Sequence, residues 1–96
     1  MPTDPSFRMT VEDVFPVPGR GMTASGRIES GTLAIGDVIW IRHQGSAKRT
    51  VVVAIDGFRE HLQQAQKGDI VGVVLRGIEL TDIQPGDVLV GLESEL

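Results

Sequence analysis

Twelve valines, eight isoleucines and six threonines crowd a chain of 96 residues that holds only five alanines. β-Branched side chains lose rotamer freedom in a helix and pack well on a pleated surface. Twelve glycines and five prolines cut this material into short pieces. Short β-branched segments between turn residues predict an all-β domain, a barrel or a sandwich.

The punctuation sets the boundaries. Pro18-Gly19, Ser30-Gly31, Gln44-Gly45-Ser46, Lys67-Gly68 and Pro85-Gly86 read as turns. Strands are expected between them at Phe7–Val17, Met22–Ser30, Asp37–Arg42, Arg49–Asp56, Asp69–Arg76 and Asp87–Val90. Alternation in Arg49–Asp56 puts Val51, Val53 and Ile55 on one face and leaves Val52 and Ala54 on the other, so cover on both sides is expected. In Asp37–Arg42 it pairs Ile39 with Ile41, and Val38 with Trp40. With the isoleucines inward, the only tryptophan faces outward, either as a partner-docking anchor beside Val38 or under a neighbouring loop. Residues 1–6 read as a disordered lead-in, 7–91 as a single domain and 92–96 as an acidic tail. Phe58–Lys67 stands apart, because its propensities and the spacing of Phe58, Leu62 and Ala65 suit a short helix.

Charge and composition exclude several functions. A net charge of −4 argues against generic DNA binding, which needs a large positive field, but leaves room for a small local RNA site. The absence of cysteine excludes disulfides, thiolate catalysis and cysteine zinc sites. With an amino terminus, MPTDPSFR, that lacks the basic and apolar regions of a secretory signal, the expected compartment is the cytosol. No apolar run approaches the roughly 20 residues of a membrane span.

The chemistry-bearing motifs are equally sparse. No G-x-x-x-x-G-K-[ST] run is present to cradle phosphates and hold magnesium. Gly19–Arg27 is glycine-rich but lacks the lysine and leads into a strand, and Asp69-Ile70-Val71-Gly72 matches D-x-x-G only by accident. His43 and His61 have no metal-ligand neighbour at helical spacing and suit surface positions, so neither metal nor cofactor is expected. Glu12 and Asp13 are adjacent and point to opposite faces of a strand, so they cannot form an acid–base pair. Nothing in the sequence argues for an enzyme. Arg42, His43, Lys48 and Arg49 bracket an expected hairpin loop at Gln44–Ala47, which reads as a phosphate contact or as a solvated loop.

Four segments in order carry a resemblance: VEDVFPVPGRGMTASGRIESGTLAIGDVI (Val11–Ile39), GFRE (Gly57–Glu60), KGDIVGVVLRGI (Lys67–Ile78) and DIQPGDVLVG (Asp82–Gly91). Together they resemble the second domain of elongation factor Tu and related translational GTPases. The resemblance implies a small closed β-barrel of six or seven strands with Greek-key connections, its turns and corners served by Gly19, Gly21, Gly26, Gly31 and Gly36. It implies a strand end and an irregular connection at Phe58–Lys67, with at most a short helical turn, and it overrides the helix there.

The resemblance also implies a site. The terminal adenosine of an aminoacylated transfer RNA would meet Val17, Gly19, Asp56, Arg59 and Val74, and the aminoacyl group would lie near Asp13, Phe15, Ser25 and Ile70. Apolar walls suit the adenine face, Asp56 suits ribose hydroxyls, and Arg59 suits phosphate or base. Two departures stand out: Asp56 replaces the family's usual glutamate, and Ile70 replaces an asparagine. The two lines of reading disagree about Phe15. Simple alternation buries it with Phe7, Val11 and Val17, whereas the resemblance turns Asp13 and Phe15 outward and Val14 inward. An unpaired Asp13 in the core would be costly, which favours the outward assignment. The expected function is a non-catalytic barrel that contacts a transfer RNA end or ribosomal RNA without a GTPase domain of its own. The alternative is a protein-interaction barrel docking on a GTPase domain or another protein through Val38 and Trp40.

Overall fold

The structure is a computed structural model that describes residues 3–92. Ten strands are present among the described residues: β1 (Arg8–Thr10), β2 (Asp13–Val17), β3 (Gly21–Ser30), β4 (Thr32–Ala34), β5 (Val38–His43), β6 (Ser46–Gly57), β7 (Glu60–Leu62), β8 (Gln64–Gln66), β9 (Ile70–Leu75) and β10 (Val88–Val90). The one helical element among the described residues is a 3₁₀ turn at Leu80–Asp82. Six strands lie side by side in the order β1, β10, β5, β6, β9, β3, all antiparallel, and β3 returns to β1 to close a barrel. Closure removes the exposed edges that an open sheet would leave, which matters where the described residues include no α-helix to cover them. Neighbours β3–β9 and β5–β10 are far apart in sequence, as Greek-key connections require. β2 is added to the outer edge of β3, β7 pairs with the end of β6, and β4 and β8 form a separate ribbon.

The core is made by alternate residues of these strands. Met9, Ile28, Ile39, Ile41, Val73 and Leu89 are buried and point inward. At the closure β1 crosses close to β3, and a Cβ on Gly26 would strike the Thr10 carbonyl oxygen. Only glycine lets the two backbones approach there.

The structure departs from the expected strands at five places. Phe7–Val17 is two strands, because the amide of Val11 bonds to the Asp87 carbonyl while the next amide, of Glu12, bonds to Ser25. The chain changes partner between these residues, and the inward set shifts from Met9 and Val11 to Val14. In β6 the register slips between Val52 and Ala54, so Val52 and Ile55, which strict alternation puts on opposite faces, both point to the core. A β-bulge inserts one residue and reverses the alternation beyond it. The expected loop at Gln44–Ala47 shrinks to Gln44-Gly45, both at positive φ, and Ser46 and Ala47 already belong to β6. Phe58–Lys67 is neither helix nor irregular connection but holds β7 and β8. Leu62 lies opposite Ile55 and Ala65 opposite Leu33, while Phe58 is left outside. Finally, Thr3–Ser6 is tied to the barrel: the Thr3 hydroxyl bonds both the carbonyl and the amide of Val38, and Asp4 accepts bonds from Ser6 and Thr32. The rest of the expected lead-in and the residues 93–96 of the expected tail lie outside the described residues.

Candidate functional site

Directly opposed residues of an antiparallel pair share a face, so the registers fix what the outer wall presents. Across β2, β3, β9 and β6 one row is Phe15, Thr23, Val74 and Ala54, and the next is Asp13, Ser25, Gly72 and Asp56. Arg27 opposite Ile70 continues the same face. Asp13 and Phe15 are therefore outward, and Val14 packs against the core. β2 carries Pro16 without losing a ladder bond to a second neighbour, because it is an edge strand paired only with β3.

On this face lies an open groove of about 450 Å³, lined by Phe15, Val17, Thr23, Ser25, Asp56, Gly57, Phe58, Ile70, Val71 and Gly72. Its rim holds three of the most exposed large apolar side chains, Phe15 (43% exposed), Ile70 (62%) and Phe58 (84%). Its floor is kept low by Gly72, where a Cβ would come within 3.2 Å of the Thr23 methyl. Thr23 is buried there, and its hydroxyl has no hydrogen-bond partner among the described residues. Asp56 supplies the polar end. Its oxygens accept bonds from the Arg20 guanidinium (2.8 and 3.4 Å) and pair with His61 Nδ1 at 2.7 Å. Burial pushes the Asp56 carboxyl up, but hydrogen bonds and charge from Arg20 and His61 outweigh it and hold the group below the ordinary carboxylate value.

The family model of elongation factor Tu domain 2 matches residues 21–90. The chain belongs to the elongation factor Tu domain 2 family. Small barrels of this family are non-catalytic modules of translation factors. Among the described residues, no group of histidine, aspartate and glutamate side chains could hold a metal ion, and no helix is long and apolar enough to cross a membrane.

Within this elongation factor Tu domain 2 barrel, the groove brings together five of the expected site residues: Phe15, Val17, Ser25, Asp56 and Ile70. Four others are placed differently. Asp13 is exposed opposite Ser25, outside the groove lining. Gly19 sits at φ +80° in the β2–β3 turn and lines a neighbouring hollow with Pro16, Pro18, Ile78 and Leu80. Arg59 is at the tip of the β6–β7 turn, at φ +61°, with its guanidinium 5.0 Å from the centre of the Phe58 ring. Val74 is fully buried, so its side chain forms wall rather than contact surface. Val38 and Trp40 are outward and half-buried on β5, away from the groove.

Sequence reasoning missed Phe58, Thr23 and Gly72. Propensity alone places Phe58 on a helical face, and the signal for its role is its place beside Gly57 and Arg59 in the GFRE turn. Thr23 carried its signal in the register, lying directly across from Phe15. Arg20 and His61, the partners of Asp56, come from a different turn and a different strand, and spacing alone does not join them.

Proposed function

We propose that this barrel is a non-catalytic module that contacts RNA, with the groove taking the unpaired 3′ end of an aminoacyl transfer RNA or an exposed ribosomal RNA nucleotide. The observation that carries this reading is the groove's composition. Two aromatic rims, Phe15 and Phe58, face a glycine floor, with a carboxylate at one end and the Arg59 cation beside it. Aromatic and guanidinium planes accept unstacked bases, at about 1–3 kcal/mol per base. A carboxylate has about four acceptor sites, so Asp56 keeps capacity for ribose hydroxyls beside Arg20 and His61. The orphan Thr23 hydroxyl is a buried polar group of the kind a ligand's polar edge completes. Ile70, 62% exposed, makes the aminoacyl side of the groove apolar. The 96 residues supply no phosphate cradle of their own, so the module would act beside a GTPase domain rather than as one.

A titration with short RNAs ending in CCA, charged and uncharged, across salt concentrations tests the reading. Saturable binding at low salt that weakens in Phe15→Ala and Phe58→Ala is the expected result. No measurable affinity at low salt from a folded chain would overturn it and leave protein docking as the better account.

A further inference from the structure

The chain holds seven aspartates and no asparagine. Six of the seven precede proline, valine or isoleucine, and only Asp56 precedes glycine. The order matters because an aspartyl carboxyl can react with the amide nitrogen of the next residue. Proline has no N–H to give up, and a β-branched neighbour crowds the attack. Gly57 presents neither obstacle. An Asp-Gly pair belongs most often to the tight turn of a hairpin. Here the turn is Phe58-Arg59, and Asp56 and Gly57 are the last residues of β6. Asp56 lies opposite His61 on β7 and opposite Gly72 on β9, so its backbone has a strand on both sides. Its side chain is held as firmly. Arg20 donates to one oxygen at 2.8 Å and to the other at 3.4 Å, and His61 Nδ1 lies 2.7 Å from that second oxygen.

We propose that Asp56-Gly57 is the chain's site of isoaspartate formation, and that Arg20 and His61 guard it in the folded barrel. In the reaction the Gly57 nitrogen attacks Asp56 Cγ, the Cγ–OH bond breaks, and the amide proton leaves with the hydroxyl as water. The succinimide so formed takes up water at either carbonyl. One product is aspartate again, and the other is isoaspartate, whose main chain runs through the side-chain carbon. Water is the only co-reactant. Ring closure needs Asp56 to abandon the extended backbone, where ψ is about +135°, and so to part from β7 and β9. It also needs a free, uncharged carboxyl. Burial favours that form, but bonds and charge from Arg20 and His61 outweigh it and keep both oxygens engaged. Isoaspartate adds a main-chain carbon just before Phe58 and Arg59 and carries the carboxylate away from Arg20, which dismantles the polar end of the groove. The proposal holds whatever the groove binds.

The test incubates the folded chain, and the same chain in urea, at neutral pH. Isoaspartate is counted by enzymatic methylation of isoaspartyl groups. It is located with a protease that cuts before aspartate but not before its isomer, the peptide mass being unchanged. Slow accumulation is expected in the folded parent and many-fold faster accumulation in urea, at Asp56 in both. Arg20→Ala and His61→Ala should each speed the folded-state reaction several-fold. Asp56→Glu should abolish the signal, because the longer side chain closes its ring far more slowly. Met9→Ala separates the guard from the fold, since it weakens the core and leaves Asp56 and its partners in place. At equal unfolding free energy, set with low urea, Arg20→Ala should react faster than Met9→Ala. Equal rates there would mean that global opening controls the reaction, and would overturn the guard. Folded and unfolded parents reacting at one rate, either guard variant matching the folded parent, or isoaspartate gathering first at another aspartate would each overturn the proposal as well.

Discussion

β1 and β2 come from one apolar run but meet different demands. β1 is paired on both sides, with β10 and β3, and its Met9 is fully buried. β2 is paired only with β3, and Phe15, six residues further on, is 43% exposed beside the groove. The two side chains share an alternation phase in the sequence, and the change of hydrogen-bond partner at Val11 and Glu12 separates their fates. β1 therefore serves the core, whereas the outer side chains of β2 contribute little to it. Single exposed apolar residues are ordinary, but Phe15, Phe58 and Ile70 gathered on one groove form a patch that a fold does not need for itself.

The sharpest way to break this comparison is truncation on each side of the switch. Met9→Ala should cost about 2–5 kcal/mol, a large share of the roughly 5–15 kcal/mol available to a small domain. Phe15→Ala should cost under about 1 kcal/mol, as an exposed substitution does. Urea midpoints of the two variants measure both. Similar losses would mean that Phe15 is part of the core and that the groove is a packing defect.

The strands were legible where alternation was undisturbed. Ile39 and Ile41 inside with Trp40 outside needed only the period of two. Legibility failed where local geometry reverses that period, at the β1–β2 handover and at the bulge in β6, because both are set by backbone bonds to distant strands. In Phe58–Lys67 propensity alone suits a helix and the family pattern rightly overrides it, but neither shows the two short strands, since ten residues are marginal alone and tertiary pairing decides them. Asp4 and Thr3 gave no sign of their bonds to Thr32 and Val38, which lie 28 and 35 residues away. In the site, the family pattern identified the strands that meet. It did not show that Val74 is covered or that Asp56 is already paired with Arg20 and His61.

A smaller effect separates the groove's polar end from its apolar walls. The Asp56 carboxyl is held below its ordinary value in the folded chain, so its pairing stabilises the fold above the unfolded carboxylate value of about 3.9. That contribution is lost as the pH falls through the folded value. Asp56→Asn should therefore be less stable than the parent near about pH 6, by about 0.2–1 kcal/mol for a partly exposed pair, and the gap should close in strong acid. Denaturation curves of both proteins across this range measure it. A gap that stayed constant with pH would mean that Asp56 acts through packing and not through its charge.

The smallest stability effect belongs to Arg59, and it separates charge from turn geometry. Arg59 occupies the left-handed region at φ +61°, which suits glycine better than a residue with a Cβ. Arg59→Gly removes the guanidinium from above Phe58 without opposing the backbone, so the melting temperature should hardly move. Arg59→Ala removes the same charge but keeps the unfavourable φ, so the pair separates backbone from charge. If the groove binds an RNA end, both variants should lose affinity for a CCA strand equally and flatten its salt dependence by about 0.7. Phe15→Ala should lose affinity with the slope intact, because it removes only apolar contact. An Arg59→Gly protein that binds with an unchanged slope would place the phosphate on another cation. Arg20, already reaching Asp56 across the outer face, is then the side chain to change next.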